Sequence, residues 1–366
     1  MNKFYKIIAV NIVAVFITMA MFTISAIAET IKWRLVSCWP VGAPSLESNR
    51  LFAKNVYELS GGRLQITVHP AGELVPAAAV FDTVSKGATE MGGDWPTYWG
   101  NKNSAFDLLG SYPMGLGQQD LITWYLAYGG RDIYNYMYGK YNLVFVPHGC
   151  NPVASCIRSP KPIKSLADLK GKKIRMAGRP QGYILQKAGA VQVTMAPSDI
   201  SVALQTGTID AASFNTPAMD WSVGMAGVTK YNIGPAWNMP SSVGGIIINK
   251  DAWNTLPPDL KKIIEVAGLE TLLIHNAKED IAYSVSLEKF KESGTQVTKF
   301  SAKDLKQIEE WTWEYIVEEA KKNPDYNKVA TSMFQYLKDF QATRDYQQPF
   351  SHGRNLTTLP KLPDLK

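Results

Sequence analysis

The sequence predicts an α/β protein built from two domains. Segments rich in β-branched and aromatic residues alternate with segments of helical periodicity, which is typical of parallel sheets covered by helices. The chain has 366 residues, more than one hydrophobic core usually serves. A helical pattern also continues from residue 258 to about residue 292 with hardly a break. Such a helix spans roughly 50 Å, so we expect it to brace both domains.

The first 28 residues have the pattern of a secretory signal peptide. Lys3 and Lys6 precede an apolar run that begins at Ile7, and Ala26 and Ala28 supply the small residues of a cleavage site. We therefore expect cleavage after Ala28 and export to the periplasm. Because the apolar run is long for a signal peptide, an uncleaved membrane anchor is the alternative.

In the first half of the chain, strands are predicted at 31–38, 64–69 and 143–146, and helices at 45–59, 75–86 and 120–138. Ser45 is the expected cap of the first helix, and Gly61 and Gly62 are its expected stop. Residues 92–117 are expected to be rich in loops. This segment carries a cluster of aromatic residues, namely Trp95, Tyr98, Trp99 and Phe106.

The second half repeats the alternation, with strands predicted at 173–176 and 245–249 and helices at 183–188, 198–205, 258–292 and 301–322. Ser165 and Asp168 have the spacing of a capping box on a further short helix that ends at Gly171. Ser301 and Asp304 have the same spacing ahead of the last helix. From residue 351 onward, the chain is rich in proline and is expected to form a loose tail.

Charge and histidine content exclude two classes of function. The formal net charge is +6, but the basic residues are spread along the chain, so we expect a solvated surface and no nucleic-acid partner. The four histidines are too far apart for a metal site of local spacing. They are His69, His148, His275 and His352.

The three cysteines, Cys38, Cys150 and Cys156, all follow the signal peptide, so at least one stays free or pairs with another chain. A Cys150–Cys156 disulfide and buried free thiols are both compatible with the sequence. His148 is the base nearest to Cys150 in sequence, but no motif of a cysteine nucleophile surrounds it. We therefore expect no catalytic residue and no cofactor.

Arg175 is the candidate binding residue. It lies in the predicted strand 173–176, and a polar turn carrying Ser213 and Asn215 is expected to face it. A guanidinium donates two parallel, charge-assisted hydrogen bonds to an anion, which lysine cannot do. Because no general acid or base lies nearby, the pattern indicates that the protein binds a small anion without changing it.

Four segments carry a family resemblance: WRLVSCWP at 33–40, LADLKGKKIRMAG at 166–178, DISVALQTGTIDA at 199–211 and NKDAWNTLPPDLKKII at 249–264. In this order they are similar to the solute-binding subunits of TRAP (tripartite ATP-independent periplasmic) transporters, the DctP-type or family 7 proteins. The aromatic loop at 95–106, the YPMGL turn at 112–116 and Asn151 resemble the branch that binds α-keto acids.

The resemblance implies a periplasmic-binding-protein-like clamp, in which hinge strands join two α/β domains and a long helix braces both. The implied divisions are a signal peptide at 1–28, domain I at 29–152 plus about 242–285, domain II at 153–241, and C-terminal helices and tail at 286–366. It also implies a small organic anion as ligand and the membrane subunits of a TRAP transporter as partners. We expect a monomer or a homodimer.

The resemblance assigns Arg175 to the ligand carboxylate and Asn151 to ligand contact. The other expected ligand-binding residues are Ser213, Phe214, Asn215, Trp39, Tyr98, Trp237 and Asn238. Asn151, Ser213 and Asn215 are equally compatible with turns, and the aromatic residues with the core. We expect a monocarboxylate ligand. A sulfonate ligand and a periplasmic enzyme on the same clamp are the alternatives.

The chain departs from the keto-acid branch at the metal site. In that branch a glutamine and two glutamates hold a metal ion that shares the ligand, and the aligned positions here are Ser155, Ser213 and Met239. A hard cation needs several oxygen ligands, usually with carboxylates among them. We therefore expect no metal, and we do not expect a small keto acid to be the preferred ligand.

Overall fold

The computed structural model describes residues 30–347, which form two β-sheets with helices packed on them. The predicted signal peptide and the predicted tail from residue 351 lie outside the described residues. Within residues 30–347, no helix has both the length and the apolar character needed to span a membrane.

The first sheet consists of β1 (Ile31–Ser37), β2 (Leu64–His69), β3 (Met91–Asp94), β4 (Leu143–Asn151) and β10 (Ser242–Asn249). Their spatial order is β2-β1-β3-β10-β4. Strands β2 and β3 run parallel to β1, whereas β10 is antiparallel to β3 and β4. The late strand β10 thus returns the chain to the first sheet.

The second sheet consists of β5 (Ile157–Ser159), β6 (Lys173–Arg175), β7 (Val191–Val193), β8 (Ala211–Ala212), β9 (Tyr231–Gly234) and β11 (Gln296–Lys299). Their order is β11-β9-β5-β8-β6-β7. Strand β11 was not predicted, and it pairs parallel with β9. The chain therefore passes from the first sheet to the second, back to the first and again to the second. The two lobes are thus joined by several chain segments.

The helices are α1 (Pro44–Leu59), α2 (Val80–Ser85), α3 (Ala105–Gly110), α4 (Gln118–Ala127), α5 (Gly130–Gly139), α6 (Arg179–Lys187), α7 (Ile200–Gln205), α8 (Pro217–Ser222), α9 (Lys250–Thr255), α10 (Pro258–Glu292), α11 (Ala302–Lys322), α12 (Pro324–Asp339) and α13 (Gln341–Gln347). Short 3-10 turns cover Ala77–Ala79, Pro96–Trp99, Ala167–Leu169, Pro197–Asp199 and Met225–Gly227. The alternation of strands and helices confirms the predicted α/β class.

Some predicted boundaries were wrong. Ser45 lies inside α1, whose N-cap is Ala43 and has no side-chain cap. The single helix predicted at 120–138 is two helices, because Gly129 adopts a left-handed φ of 80° between them. The segment predicted as loop at 92–117 contains most of β3 and all of α3, and every residue of α3 is buried. Packing rather than periodicity therefore determines α3.

The long helix α10 is confirmed, with 35 residues from Pro258 to Glu292. It packs on α1 and β4 beside the first sheet and on α8 beside the second. Gly268 allows the close contact with β4, because a Cβ there would lie 2.3 Å from the Val146 side chain. Helix α10 therefore contacts elements of both lobes, as a brace must.

The C-terminal helices also contact both lobes. Helix α11 packs on α6, beside the second sheet, whereas α12 packs on α3 and α5, beside the first. The predicted capping box of Ser301 and Asp304 is present at the start of α11. The largest apolar cluster runs without interruption from Val36 and Ile247 of the first sheet to Ile157 and Ile174 of the second. The lobes are therefore closed on each other.

Candidate functional site

Arg175, the last residue of β6, is only 2% exposed. Its Nη1 donates to the carbonyl oxygen of Ser213 at 2.7 Å, and its Nη2 donates to that of Met195 at 3.3 Å. Within residues 30–347 it forms no ion pair with a carboxylate, and its Nε has no hydrogen-bond partner. Burial lowers the pKa of Arg175, but an arginine stays charged in proteins. The lobes thus enclose a cation that lacks a counter-charge.

Aromatic side chains surround this guanidinium. The ring centroid of Phe214 lies 5.5 Å from Cζ of Arg175. Burial raises the pKa of Tyr98 well above its usual value, and the nearby Arg175 charge opposes that shift. The Trp39 and Trp95 rings lie 6.1 and 4.9 Å from the Tyr98 ring. Within residues 30–347, both indole N–H groups are buried without a hydrogen-bond partner.

A chain of hydrogen bonds leads from Arg175 to two amide side chains. The Ser213 backbone N–H donates to the Arg175 carbonyl oxygen at 2.8 Å, and Nδ2 of Asn238 donates to Oγ of Ser213 at 2.9 Å. Nε2 of Gln181 donates to the carbonyl oxygens of Asn238 and Ser111, at 2.8 and 3.2 Å. The amide oxygens of Asn238 and Gln181 are buried and receive no hydrogen bond from the part of the chain that the structure describes.

Six of the nine predicted site residues therefore lie together around one guanidinium: Arg175, Ser213, Phe214, Asn238, Tyr98 and Trp39. Trp237 precedes Asn238 in the chain, and its indole N–H is also buried without a partner. These residues come from both lobes, Arg175 from the end of β6, Tyr98 from a 3-10 turn and the others from loops, so the site lies between the sheets. That they bind a ligand stays a prediction.

Asn151 and Asn215 are held by other hydrogen bonds. Oδ1 of Asn151 lies 2.9 Å from Nε2 of His275, whose Nδ1 lies 2.5 Å from Oγ of Ser48. Oδ1 of Asn215 accepts from the Thr216 backbone N–H at 2.9 Å, at the start of α8. Asn215 thus fills the turn role that was the alternative to ligand contact, and contact of either asparagine with a ligand stays a prediction.

Arg158 was not among the predicted site residues. It lies in β5 and pairs in register with Ala212 of β8, and Arg175 of β6 pairs with Ala212 from the other side. Side chains at one register level emerge on the same face of a sheet. Both arginines therefore flank the small Ala212. The sequence signal that could have identified this pair is the presence of one arginine in each of two short, partly apolar strands.

The charge of Arg158 is neutralised by an ion pair with a carboxylate, whereas that of Arg175 is not. Its Nε donates to Asp220 at 2.6 Å, and both side chains are 1% exposed. Its guanidinium lies 3.4 Å from the ring centroid of Phe290, and its Nη2 donates to Oγ of Ser155 at 3.2 Å. Nη1 of Arg158 has no partner. This second guanidinium lies on the same face of the sheet as Arg175, but Asp220 offsets its charge.

The three positions aligned with metal ligands do not fit a metal ion. Oγ of Ser155 accepts from the Arg158 guanidinium, and Oγ of Ser213 accepts from Asn238. Met239 is buried and carries no oxygen in its side chain. No group of three or more His, Cys, Asp or Glu residues in the described chain is placed to hold a metal ion. A hard cation needs several oxygen ligands, but these positions provide two hydroxyl oxygens, one of which is hydrogen-bonded to a guanidinium.

The thiols and imidazoles lack the properties of catalytic groups. Cys38, Cys150 and Cys156 are free and buried, so the disulfide alternative was wrong and the free-thiol alternative is confirmed. Burial raises the pKa of Cys150 to about 12, and raises those of Cys38 and Cys156 as well. Thiols of this kind are poor nucleophiles.

Of the three described histidines, His148 of β4 and His275 of α10 are buried, and both have lowered pKa values. Burial lowers the pKa of His275 to about 4, and burial together with the charge of His275 lowers that of His148 to about 3. Nε2 of His148 lies 3.2 Å from Nδ2 of Asn49, which lies on α1. Both imidazoles therefore serve in a polar network between α1, β4 and α10.

Burial also raises the pKa values of three carboxyl groups, Asp94, Asp107 and Glu279, to about 7. Asp94 accepts hydrogen bonds from Tyr138 and from the indole N–H of Trp99, and so anchors the aromatic loop. Glu279 accepts from Oγ1 of Thr216 at 3.1 Å, which ties α10 to the start of α8. These carboxyls fix elements around the site.

The chain matches the model of DctP, described as bacterial extracellular solute-binding protein, family 7, over residues 35–323. A monocarboxylate 2-oxoacid-binding periplasmic protein of Nostoc sp. is 28% identical over 307 residues, which cover 84% of this chain and 84% of that protein.

Solved structures of TRAP solute-binding proteins share the fold, which confirms the predicted two-domain clamp. One from Bordetella bronchiseptica, a mixed-occupancy dimer with calcium and picolinate, has a TM-score of 0.83 and 29% identity, covering 88% of this chain and 98% of that chain. One from Pseudoalteromonas atlantica with sodium and pyruvate has a TM-score of 0.82 and 26% identity, covering 88% and 100%. One from Colwellia psychrerythraea with calcium and pyruvate has a TM-score of 0.82 and 27% identity, with the same coverage.

The lowered pKa of His275 predicts a pH-dependent stability. An unfolded imidazole has a pKa near 6.5, so between about pH 4 and 6.5 the unfolded chain binds a proton that the folded protein does not. Stability from this group is complete above pH 6.5 and is lost as the pH falls. Asp94, Asp107 and Glu279 act in the opposite direction, so the comparison must be made with a His275→Gln variant, which keeps a donor for Asn151.

We expect the stability of wild type relative to His275→Gln to fall by about 1 kcal/mol between pH 7 and pH 5.5. Urea unfolding of both proteins at the two pH values measures this difference. A difference that does not change with pH would contradict a neutral, buried imidazole.

Proposed function

Because the chain belongs to family 7 of the bacterial extracellular solute-binding proteins, we propose that it is the solute receptor of a TRAP transporter. In this role it captures a small organic anion in the periplasm and delivers it to the membrane subunits. The proposed ligand is a monocarboxylate. The relatives named above support this class, because a 2-oxoacid, picolinate and pyruvate are all small carboxylates.

One observation carries the proposal: within residues 30–347, the buried Arg175 cation has hydrogen bonds to neutral groups and no carboxylate partner. Burying an unpaired charge costs several kcal/mol. A ligand carboxylate supplies the missing counter-charge and accepts from the unused Nε, forming the side-on fork that arginine makes with carboxylates. The unpartnered N–H groups of Trp39 and Trp95 offer further donors.

The proposed domains follow the prediction with one change. Domain I comprises 29–152 and about 242–285, which includes β10 of the first sheet, and domain II comprises 153–241. Strand β11 lies in the second sheet, so we assign residues 296–299 to domain II rather than to the C-terminal helices. Export after cleavage at Ala28, and a monomeric or homodimeric state, remain part of the proposal.

We also propose that the ligand leaves the protein chemically unchanged. The described thiols have raised pKa values, and His148 and His275 have lowered pKa values and are hydrogen-bonded. Neither class offers a base beside Arg175. Mass spectrometry of a ligand recovered after prolonged incubation should return its original mass, whereas a converted product would favour the enzyme alternative.

Replacing Arg175 with Lys should weaken carboxylate binding at least about tenfold, because lysine keeps the charge but loses the fork. Isothermal titration calorimetry against a panel of monocarboxylates and sulfonates measures the loss and separates the two anion classes. Arg34→Lys, at a half-exposed arginine, is the matched control and should bind like wild type. Undiminished affinity in Arg175→Lys and Arg175→Ala would remove the argument.

Removing metal ions should leave affinity unchanged within about twofold, because the site lacks the carboxylate oxygens that a hard cation needs. The measurement is the same titration after dialysis against EDTA, and again with added calcium or sodium. A loss of tenfold or more after chelation, restored by either ion, would show that a metal shares the ligand despite Ser155 and Met239.

A further inference from the structure

Asp107 is an acid buried where the two lobes meet. It lies on α3, which packs beside the first sheet, and its side chain is fully buried. Its Oδ1 accepts from the Arg179 backbone N–H at 3.3 Å, at the start of α6 beside the second sheet. Within residues 30–347, its Oδ2 has no hydrogen-bond partner. The carboxyl group of one lobe thus caps a helix of the other, since α6 has no side-chain cap from its own N-cap residue.

The charged and titratable groups that face Asp107 do not neutralise it. The Arg179 guanidinium is turned to another acid, with its Nη2 3.7 Å from Glu319 of α11. Tyr315 of α11 and Tyr326 of α12 are the nearby hydroxyls, and burial raises the pKa values of both. Burial raises the pKa of Asp107 to about 7, the backbone N–H and the charge of Arg179 oppose that shift, and Glu319 adds to it.

The lobes must separate before a ligand can reach Arg175. Arg175 is 2% exposed, and Trp39 and Phe214 beside it are buried as well. Only three residues lie between Arg175, at the end of β6, and Arg179, at the start of α6. The start of α6 therefore moves with Arg175, away from α3 when the lobes open and back to it when they close.

Closing the lobes thus removes water from one acid. A carboxylate that loses its hydration without gaining a cation is destabilised relative to its protonated form. With the lobes apart, we expect the pKa of Asp107 to return toward the ordinary aspartate value of about 4. The closed form therefore binds a proton that the open form releases to water.

We propose that Asp107 takes up a proton when the lobes close on a carboxylate ligand, so that ligand binding is coupled to proton uptake. This inference rests on the proposed function, because it needs a ligand that closes the lobes. Linkage gives the direction of the effect. Since the closed form binds more protons, ligand affinity rises as the pH falls through the closed-state pKa, and it stops rising below the open-state pKa.

Two other buried acids with raised pKa values have different surroundings. Asp94 accepts from Trp99 and Tyr138 of its own lobe, so opening leaves these contacts in place. Glu279 lies on α10 and accepts from Thr216 at 3.1 Å. Helix α10 packs on elements of both lobes, so this contact belongs to the brace. Asp107 is the acid of the three that the start of α6 covers.

The test is calorimetric titration of the wild-type protein with pyruvate, lactate and benzoate, which all stay ionised between pH 6 and pH 8. Repeating each titration in two buffers of different ionisation enthalpy gives the number of protons taken up. We expect about one proton at pH 6, about 0.1 at pH 8, and about tenfold tighter binding at pH 6. Binding without proton uptake at pH 6 would overturn this inference and leave the proposed function intact. Failure of these and all other monocarboxylates to bind would overturn both.

An Asp107→Asn variant assigns the proton. It keeps an acceptor for the Arg179 N–H but cannot titrate, so proton uptake should vanish and affinity should no longer change between pH 6 and pH 8. At pH 8 it should bind at least about tenfold more tightly than wild type, because closure no longer buries a charge. A merely structural role for Asp107 would instead weaken binding at both pH values.

Glu279→Gln is the matched control, because it replaces another buried acid with a raised pKa by its amide. It should keep the proton uptake of wild type. Uptake that persists in Asp107→Asn, or that disappears in Glu279→Gln alone, would overturn the assignment to Asp107. The wild-type proton count decides the coupling even if a variant does not fold.

Discussion

The site depends on one constraint, the burial of the Arg175 guanidinium without an acid partner. The second sheet itself provides the comparison. Arg158 lies at the same register level across Ala212, and the fold neutralises it with Asp220 and stacks it on Phe290. Within residues 30–347, Arg175 donates to the carbonyl oxygens of Ser213 and Met195 and has no carboxylate partner. The protein itself thus supplies the counter-charge of Arg158, whereas we propose that a ligand carboxylate supplies that of Arg175 and offsets the cost of burying it.

The middle of α10 links this site to both lobes. Within two turns, His275 contacts Asn151 at the end of β4, Asn276 accepts from the Cys150 backbone N–H, and Glu279 accepts from Thr216 at the start of α8. Thr216 closely follows the turn that contacts Arg175. Helix α10 therefore links the end of β4 in one lobe to the loop that contacts Arg175 in the other. Helix α10, which braces the lobes from outside the cleft, thereby contributes to the geometry of the cleft.

Local signals predicted part of the structure, and tertiary contacts determined the rest. Helix α10 and the Arg175 strand were predictable because prolines, glycines and apolar periodicity delimit them. Strand β11 was not, since its residues are mostly exposed and it exists through pairing with β9. Helix α3 is buried throughout, so its sequence lacks a polar face. The pairing of Arg158 with Asp220 could not be predicted either, because these residues are far apart in the sequence and meet only in the fold.

A crystal structure of the protein with its bound carboxylate tests the central claim most directly. The account predicts two ligand oxygens about 2.7–2.9 Å from Nε and one Nη of Arg175, between closed lobes and with no metal ion alongside. The opposite finding would be an Arg175 side chain that points into bulk solvent, or a ligand held elsewhere in the molecule. Either would show that this guanidinium does not receive the anion.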